Sequence, residues 1–374
     1  MVSVELKDTF LQLVRLGIGH AETTEITEKV DRVALKAFAE EQGLTAIVLD
    51  GLNTDGTDLT DTMPVQMKLE WIGEVLQNYE AKYAAYEKAI GSLAGWYNKH
   101  GFKMMVLKGY ACAQDWPNPK HRPCGDIDIW LFGKQKEADT LLASLEFSVE
   151  SLESGEKVQR IKVDNSHHHH TVFNWQGFSV ENHYDFINVH HHKSHIEFEK
   201  ILKELGQEDS HAVEVNGEKV HLPSPNLHAL FLIKHLMLHF STGEITLRQL
   251  LDWAFFVEKH GKEIDWLWLE EILNKYGMRD LYNVFNAICV GDLGFSVNIF
   301  PQVQFSPELK DRVLKDILSP EFDEEMPRNV LKRIIWKWHR WKANEWKHKL
   351  CYKESMWSAF WSGVWGHLLK PSSI

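Results

Sequence analysis

Apolar residues recur at steps of three and four along most of the chain, the spacing of amphipathic helices. Residues 4–18 and 26–43 read as two such helices. The second runs through Val30, Val33, Ala34, Ala37 and Phe38 and stops at Gly43. Residues 53–64 are polar and turn-rich, hence a loop. The clearest period follows: Ile72, Val75, Leu76, Tyr79, Tyr83, Tyr86, Ile90, Leu93 and Tyr97 form one continuous stripe, ended at Asn98–Gly101. Its four tyrosines fall on the core period itself, so packing is expected of them rather than base stacking.

At the centre the period changes to two. Met104–Leu107 reads as a short buried strand, broken at Lys108–Gly109 and followed by a helical segment, Tyr110–Trp116. Pro117, Pro119 and Pro123 force an extended loop. Gly125 closes it, and Asp126–Leu131 alternates acidic and apolar residues as a half-buried strand does. Residues 134–145 read as a helix, and 157–163, 171–175 and 178–187 as strands, with Gln176–Gly177 as a hairpin turn. Residues 195–205 are helical in pattern, and 213–222 is an Asn–Gly hairpin. From Ser224 as N-cap and Pro225 as first helical residue the rest is helical, at 225–241, 245–259, 264–276, 279–293, 307–318 and 327–369. The pattern predicts an α+β protein: a helical N-terminal arm (1–100), a mixed-sheet α/β core (101–223) and a helical C-terminal region (224–374).

Composition narrows this only in part. The 374 residues are 44% hydrophobic and 25% charged, an ordinary globular balance. A net charge of −12 argues against polyanion binding by the surface as a whole. Cys112, Cys124, Cys289 and Cys351 lack paired spacing, so neither a disulfide framework nor a cysteine zinc site is expected. No signal-peptide layout and no run of about 18 apolar residues occurs, so no membrane span and a cytoplasmic location are expected.

The candidate chemistry lies in the period-two centre. Alternation puts Asp126 and Asp128 on one face, opposite Ile127 and Ile129. Two adjacent carboxylates repel each other and are costly to desolvate, and a cation between them removes that cost. The strand, the glycine turn, the helix and the Asp-x-Asp strand together resemble the nucleotidyltransferase (polymerase β-like) superfamily. Leu107–Gly109, Arg122 and Gly125–Ile129 are closest to the bacterial nucleotidyltransferase family 5. The resemblance implies a nucleotidyltransferase-type sheet and two-metal transfer of NMP to an acceptor hydroxyl or phosphate. It implies Mg²⁺ (or Mn²⁺) as cofactor and a nucleoside triphosphate, ATP by default, as donor. The superfamily's Gly–Ser pair is here Gly109–Tyr110, preceded by Lys108, so Lys108 and Arg122 are expected to contact phosphate, with Gly109 letting the backbone approach. A third carboxylate should come from a neighbouring strand, and Val180–Glu181–Asn182–His183 matches the family pattern. Glu181 is then the third ligand and base toward the acceptor, His183 a supporting group and Asp185 the alternative carboxylate. The acceptor, whether small molecule, protein or RNA, is not specified.

Other features carry competing readings. Among 21 histidines, His167–His170 and His190–His192 form tracts. Consecutive strand residues alternate faces, so loop or strand-edge placement is expected of them rather than one metal site. His235 and His239 are an i, i+4 pair without the glutamate of a zinc-protease motif. Arg248 and Asp252 share that spacing and are expected to brace their helix, with Arg248 reaching the nucleotide as the alternative. Residues 331–353 are basic and rich in tryptophan, and Trp357, Phe360, Trp361, Val364, Trp365 and Leu368 continue as a stripe. Docking on the body is expected of this tail, with RNA or a membrane surface as the rival partner. A nucleotide-binding protein that keeps the fold without catalysis is the other rival.

Overall fold

The computed structural model describes residues 3–22, 30–54, 63–151, 155–190, 192–208, 210–302, 304–322 and 324–358. Eight strands occur among them: β1 (Met105–Val106), β2 (Ile127–Trp130), β3 (Glu146–Ser151), β4 (Gly155–Arg160), β5 (His170–Trp175), β6 (Phe178–His183), β7 (Ser210–Val215) and β8 (Glu218–Pro223). Six form one mixed sheet in the order β5-β6-β2-β1-β8-β7, and β3 and β4 pair separately. β1 runs antiparallel to β2 and parallel to β8, while β2 runs parallel to β6. The fold is therefore α+β with a mixed central sheet, as the pattern predicts. The β5–β6 and β7–β8 hairpins turn at Gln176–Gly177 and Asn216–Gly217. All four turn residues have positive φ, as tight hairpin turns of the type I′ class require.

The chain divides into two compact units. One gathers residues from 1–81, 115–123 and 229–356; the other gathers 82–114 and 124–228 with residues 357 and 358. The second unit holds the sheet. Ile127, Ile129, Val180 and Val220 meet Tyr86, Ile90, Leu93 and Tyr97 of the helix Lys82–Lys99, and Ala138 and Leu142 of the helix Gln135–Ala143. Burying each of the larger aliphatics contributes about 1.5–3 kcal/mol. On the opposite face the helix Ser194–Glu208 brings Gly206 against Trp130, where an added Cβ would stand 2.6 Å from the indole.

The first unit is helical. Val4–Gly17 and Thr45–Leu52 approach so closely that a Cβ at Gly17 would lie 2.0 Å from the Ile47 carbonyl oxygen, and one at Gly51 2.2 Å from that of Leu13. The helix Thr45–Leu52 is not foreseen by the pattern, since apolar residues surround all but Asp50 and leave no amphipathic period; seven of its eight residues are buried. Trp253, Phe255, Phe256, Tyr282 and Phe285 form much of the interior farther along the chain.

Several boundaries differ from the pattern. The tyrosines of the long stripe are all buried, but Leu76 is 51% exposed. A π-helical stretch, Val75–Ala81, widens the turn there and rotates Leu76 off the stripe. β3 falls where no strand is expected, and the helix expected over 327–369 appears as Val330–Ala343 and Glu345–Cys351, with Tyr352 extended beyond. Part of the C-terminal stripe, Phe360 to Leu368, lies outside the described residues. No helix among the described residues is long and apolar enough to cross a membrane.

Candidate active site

β1 and β2 set the site's floor. Leu107 N–H donates to the Asp128 carbonyl at 3.0 Å, which extends their pairing and brings Lys108 alongside Asp128. Ile127 and Ile129 point into the core, so Asp128 must point to the other face. β6 lies beside β2 in parallel register with Glu181 opposite Asp128, and β5 brings His170 opposite His183. Residues directly opposite share a face. Period two thus collects Asp128, Glu181, His183 and His170 on one side of the sheet.

The contacts follow. Lys108 Nζ lies 2.7 Å from Asp128 Oδ1, and His183 Nε2 lies 3.1 Å from the same oxygen and 3.6 Å from Glu181 Oε2. Asp128, Glu181 and His183 each offer a ligand atom within 4.8 Å of the others. Burial alone would raise the Asp128 carboxyl, but Lys108 and His183 outweigh it and hold the group well below the usual carboxylate range. Burial would likewise lower Lys108 and His183, yet Asp128 raises both, with Glu181 assisting, so both favour the cationic form. Glu181, raised by burial, is brought below its ordinary value mainly by the hydrogen bond with His183.

His183 Nδ1 lies 3.1 Å from the Asp185 carbonyl oxygen. A carbonyl can only accept, so Nδ1 carries the proton, and Nε2 of the neutral ring turns its lone pair on two carboxylates. That arrangement needs a cation between the acceptors: a proton on Nε2, or a metal ion. The donor set of two carboxylates and one imidazole, its second nitrogen anchored to a backbone carbonyl, fits a divalent ion.

Asp126 sits just before β2 and is exposed, unlike Asp128. It lies outside the tight group, but the group acts on it: partial burial, then Glu181 and Asp128, raise its carboxyl above the ordinary range. Its backbone is fixed, because the Tyr86 hydroxyl donates to the Asp126 carbonyl at 3.0 Å. Tyr86 also explains Gly109, whose φ is +50° and where an added Cβ would stand 2.3 Å from the tyrosine oxygen. The helix after Gly109 is only Tyr110–Ala113, shorter than the expected segment to Trp116. One turn aligns too few peptide dipoles to make the phosphate cradle that the pattern suggests.

Two expected residues are engaged elsewhere. Arg122 is buried and grips Asp252 with two bonds, Nε to Oδ1 at 2.7 Å and Nη2 to Oδ2 at 2.9 Å. Trp116 Nε1 donates to the same carboxylate at 2.8 Å. The phosphate clamp expected of Arg122 is thus replaced by a bidentate structural pair. Asp252, expected to brace Arg248, serves Arg122 and Trp116, while the Arg248 side chain packs against Gly43. Asp185, the alternative carboxylate, pairs with Lys203.

Sequence reasoning missed two features. Behind the site, buried Asp139 accepts from Thr171 Oγ1 at 2.8 Å, from Asn182 Nδ2 at 2.8 Å and from Gln135, tying β5 and β6 to the helix beneath. Asn182 between Glu181 and His183 was the available signal, since an amide on the core face of a strand requires a polar partner. In front of the site, His169 and His170 join His183 in a second group with ligand atoms within 4.8 Å. Burial first, then the other cations, lowers His169 to about 2; burial also lowers His170, to about 4, against the pull of Glu181.

Comparison with curated proteins gives no match. Among solved structures, an antigenic nucleotidyltransferase-like protein from Paracoccidioides brasiliensis is similar at 14% identity, over 46% of this chain and 75% of that one, with a TM-score of 0.29. That likeness is too distant to argue from. Residues 28–289, which include β1, β2, β6 and every residue of the cluster, match the family described as uncharacterised nucleotidyltransferase. The match spans well over half of the chain, and the chain belongs to that nucleotidyltransferase family.

Proposed function

We propose that this protein transfers a nucleoside monophosphate, AMP from ATP in the first instance, to a hydroxyl or phosphate oxygen of an acceptor. Asp126, Asp128 and Glu181 are the proposed ligands of Mg²⁺ or Mn²⁺. When bound, the ions supply charge neutralisation for the triphosphate and lower the pKa of the attacking hydroxyl. The acceptor oxygen bonds to the α-phosphorus, the α–β bridging P–O bond breaks, and pyrophosphate leaves. Glu181 takes the acceptor's proton, and His183, fixed by the Asp185 carbonyl, holds Glu181 and Asp128 in place. Lys108 neutralises Asp128 in the resting protein, and its single ammonium is the proposed phosphate contact during the reaction.

The observation that carries the reading is the convergence of Asp128, Glu181 and His183 within 4.8 Å, with Asp126 just before β2 at its margin. Family membership supports nucleotidyl transfer independently. The test is incubation with ATP labelled at the α- or the γ-phosphate, Mg²⁺ and a fractionated acceptor pool. Transfer of α-label with release of γ-label in pyrophosphate is expected, reduced about 10²–10⁴-fold in Glu181→Gln. Transfer of γ-label would identify a phosphotransferase instead.

A further inference from the structure

Of the histidine tract, His167–His169 form a bend rather than a strand, and β5 begins only at His170. Strand alternation therefore does not separate His169 from His170. The bend is pinned by the His169 carbonyl, which accepts the backbone N–H groups of Tyr184 and Asp185 at 3.1 Å each, immediately after β6. Its ring centroid lies 4.3 Å from that of His170 and 5.5 Å from that of His183; His170 and His183 are 5.2 Å apart.

The polar atoms in this cluster are poorly satisfied. Among the described residues His169 Nδ1 and His170 Nε2 are buried without a hydrogen-bond partner, and His170 is only 6% exposed. A buried polar atom without a hydrogen bond is costly, so two on adjoining rings call for an explanation. Nitrogen spacing offers one. His169 Nε2 and His170 Nδ1 already pair at 3.1 Å, and one nitrogen from each of His169, His170 and His183 lies within 4.8 Å of the others, a span that side-chain rotation closes around one ion. An oxygen is close as well, with Glu181 Oε1 3.8 Å from His170 Nε2.

From this geometry we infer that His169, His170 and His183 form a binding site for a borderline divalent ion of the zinc class, with Glu181 as the adjoining oxygen ligand. Three imidazoles select zinc, cobalt or nickel over magnesium, which prefers oxygen. The inference does not depend on the transferase reading. It shares His183 and Glu181 with the carboxylate group and adds the imidazoles of His169 and His170, nitrogen donors that Mg²⁺ does not favour.

The test uses the full chain, stripped with chelator, and Co²⁺ as a visible probe of its own coordination. One equivalent of Co²⁺ should bind with d–d bands of low coordination number, and Zn²⁺ should displace it, while millimolar Mg²⁺ should not. His169→Ala and His170→Gln should each weaken Co²⁺ binding at least tenfold, with circular dichroism establishing that each variant is folded. His190→Ala and His239→Ala, which alter histidines outside the cluster, should bind as the unaltered protein does. Should either cluster variant not fold, the other carries the same test, since His169 lies in a bend and His170 on a strand. Absence of stoichiometric Co²⁺, or equal affinity in a folded cluster variant, would overturn the site. Asp126→Asn separates the two readings: it should keep Co²⁺ binding unchanged even where it loses its response to Mg²⁺ and ATP.

Discussion

His183 Nε2 stands 3.1 Å from Asp128 Oδ1, and Lys108 Nζ reaches the same oxygen at 2.7 Å. One buried carboxylate thus has two cationic partners, on the turn after β1 and at the end of β6. Removing one partner of a buried pair leaves a desolvated charge, costing about 3–5 kcal/mol when nothing replaces it. Lys108→Met should cost less than that, because His183 remains and the ammonium keeps some solvent contact. Adding Asp128→Asn should restore much of the loss, so urea denaturation of the single and double variants should be strongly non-additive. Simple additivity would mean that Lys108 and Asp128 do not act as a pair.

Arg122 gives a sharper stability prediction, since its bidentate pair with Asp252 is more deeply buried. Arg122→Ala should destabilise by about 3–5 kcal/mol in chemical denaturation. Arg122→Lys should recover little, because an ammonium cannot reproduce the two parallel bonds. A folded Arg122→Ala protein of unchanged stability that binds ATP less tightly would return this residue to the phosphate role.

Much of this arrangement is legible in the residues. Alternation at Asp126–Leu131 and Val180–His183 places the carboxylates and His183, and the two hairpin turns announce themselves by Gln–Gly and Asn–Gly. Arg122 could not be read, because its partner Asp252 is 130 positions away and that helix suggests a local Arg248 pair instead. His169 could not be read either: a tract of identical residues gives no sign of where bend becomes strand. The helix Thr45–Leu52 escapes because close glycine packing buries every residue but Asp50, leaving no period to detect.

His121, in the helical unit, provides a pH test of its own. Its Nδ1 lies 2.6 Å from Asp50 and its Nε2 3.4 Å from Glu80. Burial would lower the imidazole, but the two carboxylates together raise it above its ordinary value. A raised histidine contributes stability that is complete below the unfolded pKa, near 6.5, and is lost as pH rises through the folded value. Unfolding free energy should therefore fall from about pH 6.5 upward, and His121→Gln should flatten that slope. An identical pH profile in the variant would remove His121 as its source.

Gly109 tests how the backbone beside Lys108 is held. Gly109→Ala meets both the Tyr86 hydroxyl and a positive φ, so a loss of about 1–3 kcal/mol is expected. Tyr86→Phe in the same chain should relieve the contact but not the backbone strain, giving partial recovery of the melting temperature. Full recovery would assign the whole effect to the hydroxyl.

Asp126 isolates the central claim, because its exposed side chain makes no ion pair among the described residues, only a hydrogen bond with Ser179, and is pressed by Glu181 and Asp128. The measurement is the melting temperature of the unaltered protein and of Asp126→Asn, each with chelator and with Mg²⁺ and ATP. Without metal the variant should melt at or above the unaltered protein, since a repelled charge has been removed. With Mg²⁺ and ATP at 100 times the dissociation constant, the unaltered protein should gain about 2.7 kcal/mol by mass action, a rise of several degrees, and Asp126→Asn should gain little. Equal rises in both proteins, or none in the unaltered one, would contradict a metal-dependent nucleotide site at these carboxylates.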